Sequence, residues 1–126
     1  MQEVKNDLLT NKCTRIYCED KKNQKFNAPH HFKVYACDRF VQIDPSFPEV
    51  GCVDFQEGPV KENGVNGVAN EDLLIMVLTR LESFQQSDWR CRENALAITK
   101  IEEALLWLRK RTIGRENRGV EGTSNK

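Results

Sequence analysis

No phosphate-cradling GxxxxGK[ST] loop and no dinucleotide GxGxxG fingerprint occur in this 126-residue sequence, which argues against a P-loop NTPase or a Rossmann oxidoreductase. Only two histidines are present, adjacent at His30-His31, with no serine or cysteine nucleophile at a recognisable motif spacing. No catalytic residue is therefore expected, and no cofactor. Net charge is also missing: 19 basic and 19 acidic residues cancel, so no global field recruits DNA or RNA. No apolar stretch approaches the roughly 20 residues that cross a bilayer, and no membrane association is expected. The N-terminus lacks the basic start, apolar centre and small-residue cleavage site of a secretory signal, so a cytoplasmic address is the expectation.

CxxC knuckles are absent too. The five cysteines, Cys13, Cys18, Cys37, Cys52 and Cys91, are odd in number and irregularly spaced, which fits reduced thiols filling β-strand core positions. A tetrahedral zinc site drawn from the first four and the histidine pair is the sharper alternative. The expectation is no metal.

The sequence does hold two contrasting halves, with the length of one domain. Residues 1–63 read as a β-rich region of short runs at Thr14–Cys18, Phe32–Cys37, Phe40–Ile43 and Gly51–Phe55. Phe32, Val34 and Ala36 alternate with Lys33, Tyr35 and Cys37, the period-two pattern of a strand with one face buried. Pro45 and Pro48 break the chain between two of these runs. The connector EGPVKENGVNGVAN carries no helical period.

Residues 64–126 then turn helical. Asn70 is suited to an N-cap, Glu71 and Asp72 put negative charge in the first turn, and Leu74, Val77, Leu78 and Leu81 follow at helical spacing. The first helix is predicted to run to about Gln85. The second follows Gln86-Ser87-Asp88, with Ser87 or Asp88 as its cap, over Trp89 to Thr112. The fold class is thus α+β: a small antiparallel β-sheet followed by an antiparallel two-helix hairpin. The runs LLIMVL and ALLWL make each helix apolar nearly all round over a turn or more, more than one thin sheet can cover. Self-association follows as an expectation.

Two constellations suit small anions. At the hairpin bend, Phe84 and Asn94 lie at one end of the molecule, an aromatic face and a carboxamide fit for a purine. Arg90 and Arg92 there oppose the helix dipole unless an anion relieves them. The plainer reading is a core-closing Phe84 and a solvated Asn94. The tail from Arg109 carries six basic residues against two acidic ones. Arg111, Arg115 and Arg118 would share a face if the helix continued through Gly114. Gly119 and Gly122 permit close approach of a ligand, with Thr123 as a hydroxyl donor. Here the plainer reading is a solvated basic C-terminus.

The stretches DFQEGPVKENGVNGVANEDLLIMVLTRLESFQ and CRENALAITKIEEALLWLRKRTIGRENRGVEGT closely resemble the hairpin domain shared by two phage immune-evasion families. These are the anti-CBASS cyclic-oligonucleotide sponges and the first Thoeris anti-defence proteins. The β-rich start looks like the Thoeris branch. The resemblance implies a non-enzymatic sponge in the host bacterial cytoplasm, capturing glycocyclic ADP-ribose signals made by TIR enzymes, with cyclic di- or trinucleotides of CBASS held in a second pocket. It implies Phe84 stacking adenine and Asn94 bonding near it, in a pocket completed by the paired subunit's β-region. Lys61 is the nearest basic candidate there, beside Gln56. Arg111, Arg115, Arg118, Gly119 and Thr123 would form the second pocket, where subunits meet in a homodimer-built homohexamer. The rival expectations are an enzyme hydrolysing these signals, a nucleic-acid-binding module using the tail, and a scaffold that only assembles.

Overall fold

The computed structural model describes residues 1–9, 13–37 and 48–126. The Phe40–Ile43 run and Pro45 lie outside these residues. The chain forms two compact units: one from residues 1–58 with 65–67, the other from 59–64 with 68–126.

The first unit is a four-stranded antiparallel meander in the order β1 (Gln2–Glu3), β2 (Thr14–Cys18), β3 (His31–Ala36) and β4 (Glu49–Asp54). The two-residue β1 is too short to leave a period-two signature, and nothing in the sequence marks it. In register, Ile16 faces Val34 and Cys18 faces Phe32 on one side of β3, while Phe32 faces Val53 and Val34 faces Gly51 on the other. A register shift between Val34 and Tyr35 marks a bulge. Every residue of β3 is half-buried, so the expected one-face alternation does not hold there. It holds at the edge strand β4, where Gly51 and Val53 are half-buried and Val50, Cys52 and Asp54 exposed. Cys18 is buried, as a small hydrophobe would be, but Cys52 is exposed and Cys91 caps a helix. The expected role of the cysteines as strand-core filler thus describes Cys18 and neither of these two. The ring pairs Tyr17–Tyr35 and Phe32–Phe55 meet edge to face, centroids 5.6 and 5.5 Å apart.

After β4 the chain returns to this sheet once more. Asn66 accepts from the Glu57 N–H (2.7 Å) and donates to its carbonyl (2.8 Å), a two-point lock that lays Gly67 against Phe55. A Cβ on Gly67 would sit 2.4 Å from the Phe55 carbonyl carbon and oxygen. Only glycine permits that approach.

The second unit contains α1 (Val60–Asn63), α2 (Asn70–Gln85) and α3 (Arg92–Asn117). The connector thus hides one helical turn, α1, too short for a period to register. The α2 cap is Ala69, not Asn70: the Asp72 carboxylate accepts the Ala69 N–H at 2.8 Å, so the third helical residue does the capping from within. α3 starts at Arg92, three residues later than expected, with Cys91 as its cap. The reason is Gln85, whose amide accepts the Cys91 N–H (2.9 Å) and donates to the Cys91 carbonyl (3.0 Å), holding the intervening residues as a turn. α3 also passes through Gly114 and ends at Asn117, beyond the predicted Thr112. Leu74, Leu78 and Leu81 of α2 are half-buried, as are Ile98, Ile101, Leu105 and Leu108 of α3, the stripes of a packed hairpin. Much of the rest stays outside: Ile75, Met76, Val77, Leu96, Leu106, Trp107 and Ile113 are exposed. No described helix is long and apolar enough to cross a membrane.

Candidate functional site

The hairpin bend is a rigid corner. Besides the Gln85 brace, the Ser87 hydroxyl donates to the Phe84 carbonyl (2.6 Å) and accepts the Trp89 N–H (3.1 Å). Phe84 on the last turn of α2 and Asn94 on the first turn of α3 therefore lie at the same end of the unit. Phe84 is 37% exposed, with the Arg80 guanidinium 5.2 Å from its ring centroid. Asn94 is half-buried, its N–H turned to the Cys91 sulfur at 3.4 Å, and its carboxamide has no partner among the described residues. The corner thus offers an aromatic face, a cation one turn away and an unused amide. The sequence alone does not single out Arg80, although its i, i+4 spacing to Phe84 is visible there. Arg90 falls outside α3, so Arg92 alone opposes the dipole in its first turn.

At the other end, the tail folds around Arg115. Its Nε donates to the Glu121 carboxylate at 3.1 Å, and its Nη2 donates to the carbonyls of Val120 (3.0 Å) and Thr123 (3.1 Å). Only 11% of this side chain is exposed. Arg118 is the α3 C-cap and donates to the Gly114 and Lys126 carbonyls. Gly119 and Gly122 adopt positive φ, 73° and 76°, which reverses the chain after the helix. The Thr123 hydroxyl bonds the Val120 carbonyl. Arg111, one turn before Arg115, has no hydrogen-bond or ion-pair partner among the described residues. Glu121, the residue that fixes Arg115, escapes sequence reading because an isolated acid in a basic tail reads as solvated charge.

The remaining expected residues separate. Lys61 stands on α1, and its backbone N–H donates to the Gly122 carbonyl at 2.8 Å, so it belongs with the tail residues. α2 alone is 16 residues long, about 24 Å, so one chain does not bring Lys61 to Phe84 and Asn94. Gln56 uses its amide within the 56–66 loop, donating to the Gly58 carbonyl (3.0 Å) and accepting the Asn66 N–H (2.9 Å).

The histidine pair organises the sheet unit. The Glu19 carboxylate accepts both backbone N–H groups, of His30 (3.1 Å) and His31 (3.3 Å). His30 is buried, its ring 2.6 Å from the Lys25 carbonyl. His31 bridges Asp54 (2.9 Å) and Glu57 (3.3 Å). The Asp54 hydrogen bond, helped by Glu57 and the charge of Glu19, lifts the His31 pKa above its ordinary 6.5 against a smaller desolvation. Among the described residues no group of three or more His, Cys, Asp or Glu is arranged to hold a metal.

Two similarities bear on this arrangement. The family profile described as "Acb2/Tad1, hairpin domain" matches residues 51–112, from β4 through most of α3. Across its whole length, and the whole length of the relative, the chain is 48% identical to "Thoeris anti-defense 1" of Bacillus phage SBSphiJ7, in an alignment of 142 residues.

Proposed function

The chain belongs to the Thoeris anti-defense 1 family, and from that premise we propose that it acts by sequestration, holding a cyclic ADP-ribose-type signal of a TIR enzyme without cleaving it. The observation that carries the proposal is the bend: the Phe84 ring with Arg80 beside it and the unpartnered Asn94 amide at the head of a 26-residue helix. Adenine stacks on the ring, the amide reads its polar edge, and Arg80 and Arg92 meet phosphate. A competitor must outbind the effector that the signal activates, so nanomolar affinity, about −12 kcal/mol, is the scale required.

The tail is proposed as a second anion site, taking cyclic di- or trinucleotides around Arg111, Arg115, Arg118, Gly119 and Thr123. Self-association, as a homodimer or a homohexamer built from it, encloses the ligands. It is supported by the apolar side chains on the helices, Trp107 and Leu106 each 63% exposed. The place of action is the host bacterial cytoplasm. No nucleic acid, metal or cofactor enters this mechanism.

The deciding experiment incubates the protein with cyclic ADP-ribose isomers, removes unbound ligand, and heats the complex to denature it. Intact ligand released from the denatured protein supports sequestration. A hydrolysis product points instead to an enzyme, and no retained ligand to a scaffold.

A further inference from the structure

The tail is held from two sides, and only one of them is α3. The other is α1, four residues from the connector. Besides the Lys61 N–H bond to the Gly122 carbonyl, the Glu62 carboxylate accepts both the N–H (3.2 Å) and the hydroxyl (3.1 Å) of Ser124. The Lys61 stem lies directly over Gly122: a Cβ there would be 2.9 Å from Lys61 Cγ and 3.4 and 3.5 Å from its Cδ and Cε. The lysine chain and the bare glycine fit each other, and the stem of this exposed lysine runs along the reversing backbone.

The charges at this end then sort themselves. Arg115 is engaged by Glu121 and two carbonyls, and Glu62 by Ser124. Arg118 is engaged by the Gly114 and Lys126 carbonyls. Arg111 on α3 and the Lys61 ammonium, by contrast, keep their full hydrogen-bonding capacity among the described residues. An ammonium whose stem rests against backbone on one side loses less entropy on binding an anion than a lysine with no such contact.

We propose that Lys61 is a ligand-contacting residue of the tail site, supplying a phosphate-binding ammonium to a cyclic oligonucleotide together with Arg111. This rests on the reading of the tail as the second anion site. It reassigns Lys61 from the bend pocket and gives α1 a purpose, as the element that delivers a cation to the tail. Arg115 is then chiefly a positioning residue that folds the cradle.

The test is titration calorimetry of the full-length protein with cyclic tri-adenylate and, separately, cyclic ADP-ribose. Lys61→Met keeps the stem over Gly122 and removes the charge; Lys61→Arg restores a cation. The expected result is a loss of about tenfold or more in tri-adenylate affinity for Lys61→Met, recovery in Lys61→Arg, and unchanged cyclic ADP-ribose binding in both. Wild-type affinity for tri-adenylate in Lys61→Met, or a loss confined to cyclic ADP-ribose, overturns the assignment of Lys61 alone. A wild-type protein that binds no cyclic oligonucleotide overturns the tail-site reading and this inference together. Equal melting temperatures of Lys61→Met and wild type separate lost charge from lost fold.

Discussion

The Arg80 guanidinium rests 5.2 Å from the centre of the Phe84 ring, one helical turn before it on α2. The ring therefore carries a cation on one face, and in the proposed complex the base takes the other. Phe84→Ala and Asn94→Ala are each expected to abolish cyclic ADP-ribose binding while the protein elutes as the wild type does in size-exclusion chromatography. Arg80→Gln should cost about three- to thirtyfold in affinity, the range of a cation–π contact with a phosphate partner lost.

At the tail, Arg115→Ala removes three hydrogen bonds at once and should free residues 120–124. Hydrogen exchange of those amides is expected to accelerate, with loss of cyclic trinucleotide binding and retention of cyclic ADP-ribose binding. Glu121→Gln should show a milder form of both effects. Equal weakening of both ligands by Arg115→Ala would contradict separate pockets.

Gly67 tests the closure of the sheet unit. Because a Cβ there meets backbone atoms of Phe55 rather than a flexible side chain, Gly67→Ala should destabilise the protein by about 2 kcal/mol or more. The expected signature in denaturant unfolding is a lower midpoint with an unchanged slope.

The raised His31 pKa sets a pH dependence. Protonated His31 bridges Asp54 and Glu57, so its stabilising contribution is full below the unfolded value of about 6.5 and fades as pH rises through the higher folded value. Stability measured from pH 6 to 8 should decline more in the wild type than in His31→Gln. Parallel curves would remove His31 as the source.

Exposed Leu106 and Trp107 on α3 predict the assembly surface. Trp107→Glu should shift the species seen by light scattering to a smaller size, with helical content by circular dichroism retained.

The hairpin is legible in the sequence because α2 and α3 are long and strongly periodic, and strands β2 to β4 are legible to within a residue or two. β1 and α1 are not, since their two and four residues are shorter than any period. Helix starts shift because of side chains whose partners only the fold supplies: Asp72 caps α2 from within in place of Asn70, and Gln85 braces Cys91 so that Cys91, rather than Ser87 or Asp88, caps α3. Phe84, Asn94 and Arg111 stand out only through the family resemblance, because residue chemistry alone fits a core-closing ring, a solvated amide and a solvated basic tail equally well. Glu121 and Glu62 do not, because each owes its role to a partner, Arg115 or Ser124, that only the folded tail supplies.

The connector also limits how this protein can be taken apart. Residues 59–64 belong with the helices and 65–67 with the sheet, so the chain passes from one unit to the other three times within a dozen residues. A fragment starting at 68 keeps both long helices but loses Lys61 and Glu62, and one starting at 59 keeps those but strands Asn66 and Gly67 without Glu57 and Phe55. A gene fusion that joins this hairpin to another N-terminal half has to exchange the whole 54–68 segment, and the tail that answers to it, as one cassette.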